Sequence, residues 1–391
     1  MTKASEVKSA NDTAPERADL ALLHVPARPD AKANVSRVRQ RPINELLSPR
    51  TERTQPLDGF EDVYSDIVHY IAYCTHRIWA EKGVGLIYTH YDDAVVVHTP
   101  YGTQTSVEEV VAGTIQMMQA FPDRESRLGN VAWTGDDKQG FYTSHLGTSR
   151  MTNLGPSVYG PPTGKKVRIR HIADCMIRRN LIYREWLVRD NGALVRQLGL
   201  DPVEVAKKMA EASLKAGVPP VVAGLPERSI GQKHPEPLDL PSGPQASMED
   251  NLRHMFHDVW NRRRFDRVRD YFAPDVNVQT APGRELHGVQ GVIWYIISML
   301  AAFPDAQISF DHFCDTHETD GYIAAVRWSL TGTHLGNGQF GPPSGNAVNI
   351  LGMSHFRFKN GKIVQEWTVW DEIAVLMQIH APKSSLMVAA D

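Results

Sequence analysis

The chain has 391 residues, 42% hydrophobic and 22% charged, with a formal net charge of −3. That length and balance fit two or three globular domains with sizeable cores, and the near-neutral charge directs no field at nucleic acid. Cys74, Cys175 and Cys314 stand far apart without a CxxC pair, which argues against a disulfide framework or a cysteine zinc site and fits a reducing compartment. The first residues are polar and lack the apolar core of a signal peptide, and no stretch approaches a membrane span, so a cytoplasmic protein without membrane contact is expected.

Residues 1–55 are rich in Ala, Pro, Arg, Asp and Ser and read as a flexible or surface-wrapping arm. Apolar residues at helical spacing (Val63, Ile67, Tyr70, Ile71, Cys74, Ile78) predict a helix within Phe60–Lys82. A turn and short strand follow at 91–100, then a helix over Val107–Phe121 that Pro122 ends. Four strands are predicted near Gly129–Thr134, Gly140–Arg150, Lys166–Arg178 and Leu181–Val188, closed by a short helix. An extra helix over Asp201–Ala216 precedes a Pro/Gly-rich linker at 217–247.

The same order then repeats. Helices are predicted over Met248–Arg263 and Val289–Phe303, with a strand at Phe272–Thr280 between them. Strands follow at Gln307–Cys314, Gly321–Leu335, Ala347–Lys359 and Lys362–Trp370, and a short helix closes the copy. The domains are therefore read as 56–216 and 248–391. Each is an α+β unit with its helices on one face of a strongly curved antiparallel sheet, which leaves a conical pocket between them.

Sequence motifs repeat as well as elements. Glu185-Trp186-x-x-x-Asp190 returns as Glu366-Trp367-x-x-x-Asp371, 181 residues on. Gly160-Pro161-Pro162 and Gly341-Pro342-Pro343 share that offset, and Phe121-Pro122-Asp123 returns as Phe303-Pro304-Asp305. Three blocks in one order at nearly constant spacing define a duplicated domain. Strand alternation puts Trp186, Val188 and Asp190 on one face, and Trp367, Val369 and Asp371 likewise. An apolar wall beside a carboxylate raises its pKa toward general acid/base use. The alternative is that each Asp caps the helix that follows it. Glu185 and Glu366 alternate with the Asp and are expected to face away, toward the surface where two sheets meet.

Other polar residues are candidates on the same strands. His98, aligned with Gln279, stands in the first strand, where it could donate to a carbonyl oxygen. Asp174 and His355 are aligned on the strand before the Asp strand; on a concave face His355 would pair with Asp371, and on a convex face both would be ordinary surface or interface residues. His145, Arg150 and His171, with Arg168 and Arg170, make the first copy the more basic half, either as ligands for a carboxylate or phosphate or as a solvated outer face or copy–copy interface. There is no HExxH, Walker loop, GxGxxG after a strand or GxSxG. No metal is expected.

Each copy resembles a SnoaL-like polyketide cyclase domain of the nuclear-transport-factor-2-like superfamily. The carriers are Ala120-Phe121-Pro122-Asp123, Tyr159-Gly160-Pro161-Pro162-Thr163-Gly164 and the Glu-Trp-x-x-x-Asp stretch running into Gln197-Leu198-Gly199, with their counterparts in copy two. The resemblance covers roughly 60–200 and 250–382. It implies two tandem curved-sheet cones forming an intramolecular pseudo-dimer, with a further homodimer left open. It also implies an aldol-cyclase-type site without metal or organic cofactor, in which Asp190 and Asp371 are the general acid/bases. Trp186, Trp367, His145, Arg150, Asp174 and Gln279 would contact substrate, with His98 or His355 as electrophilic helper. The expected function is a cofactor-independent enzyme that removes a proton next to the carbonyl of a small compound, leading to aldol cyclisation, isomerisation or elimination. The alternatives are a non-catalytic binding or assembly protein, or one active and one structural copy.

Overall fold

The computed structural model describes residues 35, 37–39, 42–218, 220, 235–318 and 321–382. Most of the expected arm and the centre of the expected linker lie outside the described residues. In copy one the strands are β1 (Tyr91–Thr99), β2 (Gly102–Gln104), β3 (Glu125–Asp136), β4 (Gly140–Thr152), β5 (Lys166–Arg178) and β6 (Leu181–Arg189). The helices are α1 (Ile67–Trp79), α2 (Val107–Ala120), α3 (Asn191–Gln197) and α4 (Pro202–Lys215). Asp66 caps α1 by accepting from the His69 amide, and Ser106 caps α2 through the Glu109 amide. Residues at the end of the expected arm belong to this copy. Leu46 and Leu57 are buried in its core, and the Gln55 side chain accepts from the Ile67 amide at the start of α1.

Copy two repeats the pattern with β7 (Phe272–Thr280), β8 (Arg284–His287), β9 (Gln307–Glu318), β10 (Gly321–Thr333), β11 (Ala347–Lys359) and β12 (Lys362–Trp370). Its helices are α5 (Met248–Met255), which runs into a π-helical turn at Phe256–Asn261, α6 (Gly288–Ala302) and α7 (Glu372–His380). The sheet orders are β2-β1-β6-β5-β4-β3 and β8-β7-β12-β11-β10-β9. The sheets are mixed rather than wholly antiparallel, because β1 runs parallel to β6 and β7 to β12. These partners lie far apart in sequence, so the chain between them can make the crossover that parallel pairing needs. Strands β2 and β8 escaped the sequence reading because three or four residues carry no usable period.

The sheets pack convex face to convex face. Leu146, Ile172 and Val188 of one meet Met353 and Val369 of the other, and Ala132, Tyr142 and Met176 meet Cys314, Ile323 and Ala325. Trp186 packs against both of these clusters and Trp367 against the first. The Trp-bearing face of β6 and β12 is therefore where the copies join. Glu185 and Glu366 point the other way, under the helices, so the expected parity is reversed. The reason is physical: a convex face covered by a second domain is as apolar as a concave one, and alternation alone does not tell them apart.

A polar group crosses the seam. Arg327 donates to the Tyr142 hydroxyl at 2.9 Å and lies 3.9 Å from the Asp174 carboxylate, while Tyr142 donates to Asp174. The guanidinium sits 3.6 Å from the Trp186 ring centroid, and Tyr142 stacks on His312 at 3.5 Å. Ser144 Oγ and His355 Nε2 are 2.9 Å apart across the same seam. Removing Arg327 would leave Asp174 buried without its cation. Arg327→Met is expected to lower unfolding free energy by about 3 kcal/mol in urea titrations. Adding Asp174→Asn should recover much of that loss; an equal loss in the double variant would show that the charge pair is not the cause.

Candidate functional site

The two cones differ in what fills them. In copy one a cavity of about 430 Å³ lies between α1, α2 and the concave sheet face. Trp79, Thr114, Met117, Tyr91, His145, His171, Cys175, Glu185 and Arg189 are among its walls. In copy two the same place holds only about 30 Å³. Matched positions explain the difference. His145, Gly147, His171 and Arg189 are replaced 181 residues on by Val326, Trp328, Gly352 and Trp370, and Arg124 by Ala306.

A ring has changed strands between the copies. In copy two a Cβ at Gly352 would come within 2.1 Å of the Trp328 indole, so this glycine makes room for the ring that fills the cone. In copy one a Cβ at Gly147 would come within 2.3 Å of His171 Nε2. The indoles of copy two are satisfied internally, Trp328 donating to Ser354 Oγ and Trp370 to the Tyr295 hydroxyl, each at 2.9 Å. That arrangement is a hydrophobic core with its few polar atoms paired.

Copy one keeps unpaired polar atoms instead. Arg124 donates from Nε to Ser149 Oγ at 3.2 Å and lies 4.2 Å from the Trp79 ring centroid, but its Nη1 is buried without a partner. The Nδ1 atoms of His145 and His171 are likewise buried and unpartnered. Such an atom costs on the order of 1–3 kcal/mol, and copy two shows that the fold does not require it. Burial and the neighbouring Arg189 bring Arg124 down to about 9. Burial lowers His145 to about 4, and burial with the charge of Arg124 also lowers His171, so both rings are neutral.

Elsewhere in the cavity, the Tyr91 hydroxyl donates to Glu185 Oε2 at 3.0 Å, and among the described residues Oε1 accepts no hydrogen bond. Burial pushes Glu185 up to about 7. Beyond Tyr101, Met117, Arg189 and Asn191 the cavity adjoins an open groove of about 570 Å³, walled by Tyr159, Met209, Ala374 and Met377.

Asp190 and Asp371 both cap helices. Asp190 Oδ1 accepts from the Ala193 amide at 3.0 Å, and Asp371 Oδ1 from the Ile373 amide at 3.0 Å. Their second oxygens reach into the opposite copy. Asp190 Oδ2 accepts from the Gly283 amide at 2.8 Å, in the β7–β8 turn. Asp371 Oδ2 accepts from Asn191 Nδ2 at 2.6 Å and is also bonded to Tyr101, beside the β1–β2 turn. Burial raises Asp190 to about 6 and Asp371 to about 7. The raised pKa comes from packing at the junction of the copies and not from the Trp rings, which lie in the seam. Asp371 lines the cavity of copy one, and Asp190 does not.

Seven other expected contacts are not in the cones. Trp186, Trp367, Asp174 and His355 belong to the seam, because their faces of β5, β6, β11 and β12 are covered by the opposite sheet. His98 stacks on Trp186 at 5.2 Å on that outer side. Gln279 pairs in register with Trp367 and sits beside Glu285, and Arg150 is exposed near the end of β4. Of the expected residues His145 and Asp371 line the cavity, and His171 joins them. Glu185, Tyr91, Arg124 and Arg189 were missed. Comparing the copies position by position would have marked Arg124 and Arg189, since each is charged where its counterpart is apolar.

Each copy is thus a curved-sheet cone with helices over its concave face, and one of the two holds a ligand-sized cavity. Residues 250–379, in copy two, match the family model for the SnoaL-like polyketide cyclases, and copy one repeats the same strand order. Among solved structures, the chain is similar to a protein of Jannaschia sp. CCS1 assigned as a SnoaL-like polyketide cyclase, at 22% identity, covering 36% of this chain and 99% of that one with a TM-score of 0.31. It is similar also to IdmH of Streptomyces antibioticus, assigned as a polyketide cyclase, at 22% identity, 34% and 96% coverage and a TM-score of 0.29. A search of curated proteins returns no match. Among the described residues no helix is long and apolar enough to cross a membrane.

Two outcomes follow from this geometry. Gly147→Trp combined with His171→Gly rebuilds copy two's arrangement in copy one; it should close the cavity and abolish ligand-induced rises in melting temperature while the chain still folds. Retained ligand shifts would place binding elsewhere. The second concerns Glu185, whose folded-state pKa is raised. The stability tied to its protonated form is fully present below its unfolded pKa and is lost as pH rises through about 7. Glu185→Gln should therefore flatten the fall in stability between about pH 5 and pH 8, read by urea denaturation at each pH. An unchanged pH slope would mean that Glu185 does not carry the linkage.

Proposed function

We propose that this chain is a one-site enzyme acting on a small carbonyl compound in the cone of copy one, with copy two as its structural partner. The observation that carries the reading is the asymmetry of the cones: each turns a Glu inward, but one leaves about 430 Å³ around its carboxyl and the other is filled by its own indoles. A space of that size suits a small organic ligand, and the adjoining groove could take a longer substituent.

Glu185 is the proposed general acid/base. It lines the cavity, its Oε1 is available to a ligand, and a carboxyl near 7 is matched to proton transfer at neutral pH. It would take a proton from carbon next to a carbonyl, and the resulting enolate oxygen would be held by N–H donors of the cavity wall. Collapse of the enolate then gives aldol ring closure, isomerisation or elimination. No step calls on a metal or organic cofactor. A second reading gives the proton transfer to Asp371, favoured by its place in the same wall and its similar pKa. Asp190 is assigned to helix capping and to holding the β7–β8 turn.

The test is exchange of solvent deuterium into small ketones and keto acids, followed by nuclear magnetic resonance. Glu185→Gln is expected to slow exchange at least about 100-fold, with Asp190→Asn near wild type. The wild-type rate should rise with pH through about 7 as Glu185 ionises, and at about pH 5 it should be roughly 100-fold below its plateau. Loss in Asp371→Asn alone would select the second reading. Undiminished exchange in both carboxyl variants would refute the proton-transfer function.

A further inference from the structure

We infer that the cone of copy one takes a substrate carrying an anionic oxygen group, a carboxylate or a phosphate, seated against Arg124, His145 and His171. The inference rests on the reading of this cone as the ligand site and names the class of ligand.

Three observations meet at one end of the cavity. First, Arg124, His145 and His171 are each more than nine-tenths buried and all line the same space. Second, each has a side-chain nitrogen without a hydrogen-bond partner: Nη1 of Arg124 and Nδ1 of both histidines. Third, the substitutions that separate the copies remove these groups together. Ala306, Val326 and Gly352 stand at the matching places in the copy whose cone is filled. A polar cluster that disappears with the cavity serves the cavity.

The groups form one electrostatic neighbourhood. Arg124, His145 and Arg189 all act on His171, and Arg189 also acts on Arg124. Arg189 also acts on Glu185, but the direct partners of the acidic groups lie elsewhere: Glu185 is bonded to Tyr91, and Asp371 to Asn191 and Tyr101. The cavity thus has Arg124 and the two imidazoles at one end and protonatable carboxyls toward Tyr91 and Tyr101, with Arg189 acting on both. An anionic oxygen at the first end would complete hydrogen bonds the protein leaves open and bring a counter-charge to a guanidinium already buried over Trp79. The substrate's enolisable carbon would then lie toward the carboxyls.

Two ligands of one skeleton, only one of them anionic, provide the test. Phenylglyoxylate and acetophenone share a phenyl ketone, and the first carries a carboxylate where the second has a methyl group. Calorimetric titration of the full chain should show phenylglyoxylate bound at least about tenfold more tightly. Arg124→Gln should remove that preference while leaving the affinity for acetophenone in place, and Arg124→Lys should restore part of it. Should Arg124→Gln not fold, His145→Val and His171→Gln provide the same readout, each expected to cut the preference about threefold. Inorganic phosphate that competes with phenylglyoxylate extends the class to phosphoryl groups, and phosphate that does not compete restricts it to carboxylates. Equal affinity for the two ketones, an unchanged preference in the variants, or no binding of either anion at millimolar concentration overturns the proposal. Anion-selective binding with no deuterium exchange into any enolisable keto acid or ketone would defeat the proton-transfer reading alone, and exchange on neutral ketones without an anion preference would defeat this one alone.

Discussion

The convex-to-convex packing of the two sheets is the constraint from which the rest of the structure follows. It decides which side chains of β6 and β12 meet the other copy and which enter a cone. With Trp186 and Trp367 committed to the seam, Glu185 and Glu366 are turned inward beneath the helices. The seam has few polar groups, but those it has are linked: Arg327 joins Tyr142, Asp174 and Trp186 in one group that fixes how the sheets sit. Buried groups of this kind favour one arrangement of the copies over others that would bury similar apolar area.

Duplication supplied the second feature, asymmetry. Each copy has the same strand order and the same Glu-Trp-x-x-x-Asp stretch, yet the interiors have parted. Copy two carries Trp328 and Trp370 and is a core, while copy one has open space and unpartnered side-chain nitrogens. Moving one large ring from β5 to the facing place on β10, with a glycine opposite it each time, accounts for much of that change. The residues 250–379 that match the family model lie in the filled copy. The family-model match and the open pocket therefore fall on different halves of the chain.

Much of the fold was legible in the sequence. Period and punctuation gave the long helices and strands, often to within a residue or two, because many of them are bounded by Pro, Gly or Asn. The duplication was legible from its motifs. The site was less so. Alternation identified two faces on β6 but not which was concave, since both are buried. Asp190 and Asp371 read from sequence as either caps or acids, and the geometry shows capping together with a raised pKa in the same side chains. Arg124 was hidden because it follows the Phe-Pro-Asp turn, where a charge looks solvated; only the rolled sheet carries it under α1.

The crossing of Asp371 into the opposite half has a consequence for how the molecule can be divided. A shortened gene product ending after α4 would keep every strand of the hollow domain. It would nevertheless lose a piece of the chamber wall, and the face now covered by the second sheet would be left open to water. The two halves are therefore not a working part and a spare. The filled half acts as a permanently attached subunit, in fixed one-to-one stoichiometry and independent of concentration. Damage to it would be felt in the other half as a misplaced wall rather than as a lost catalyst.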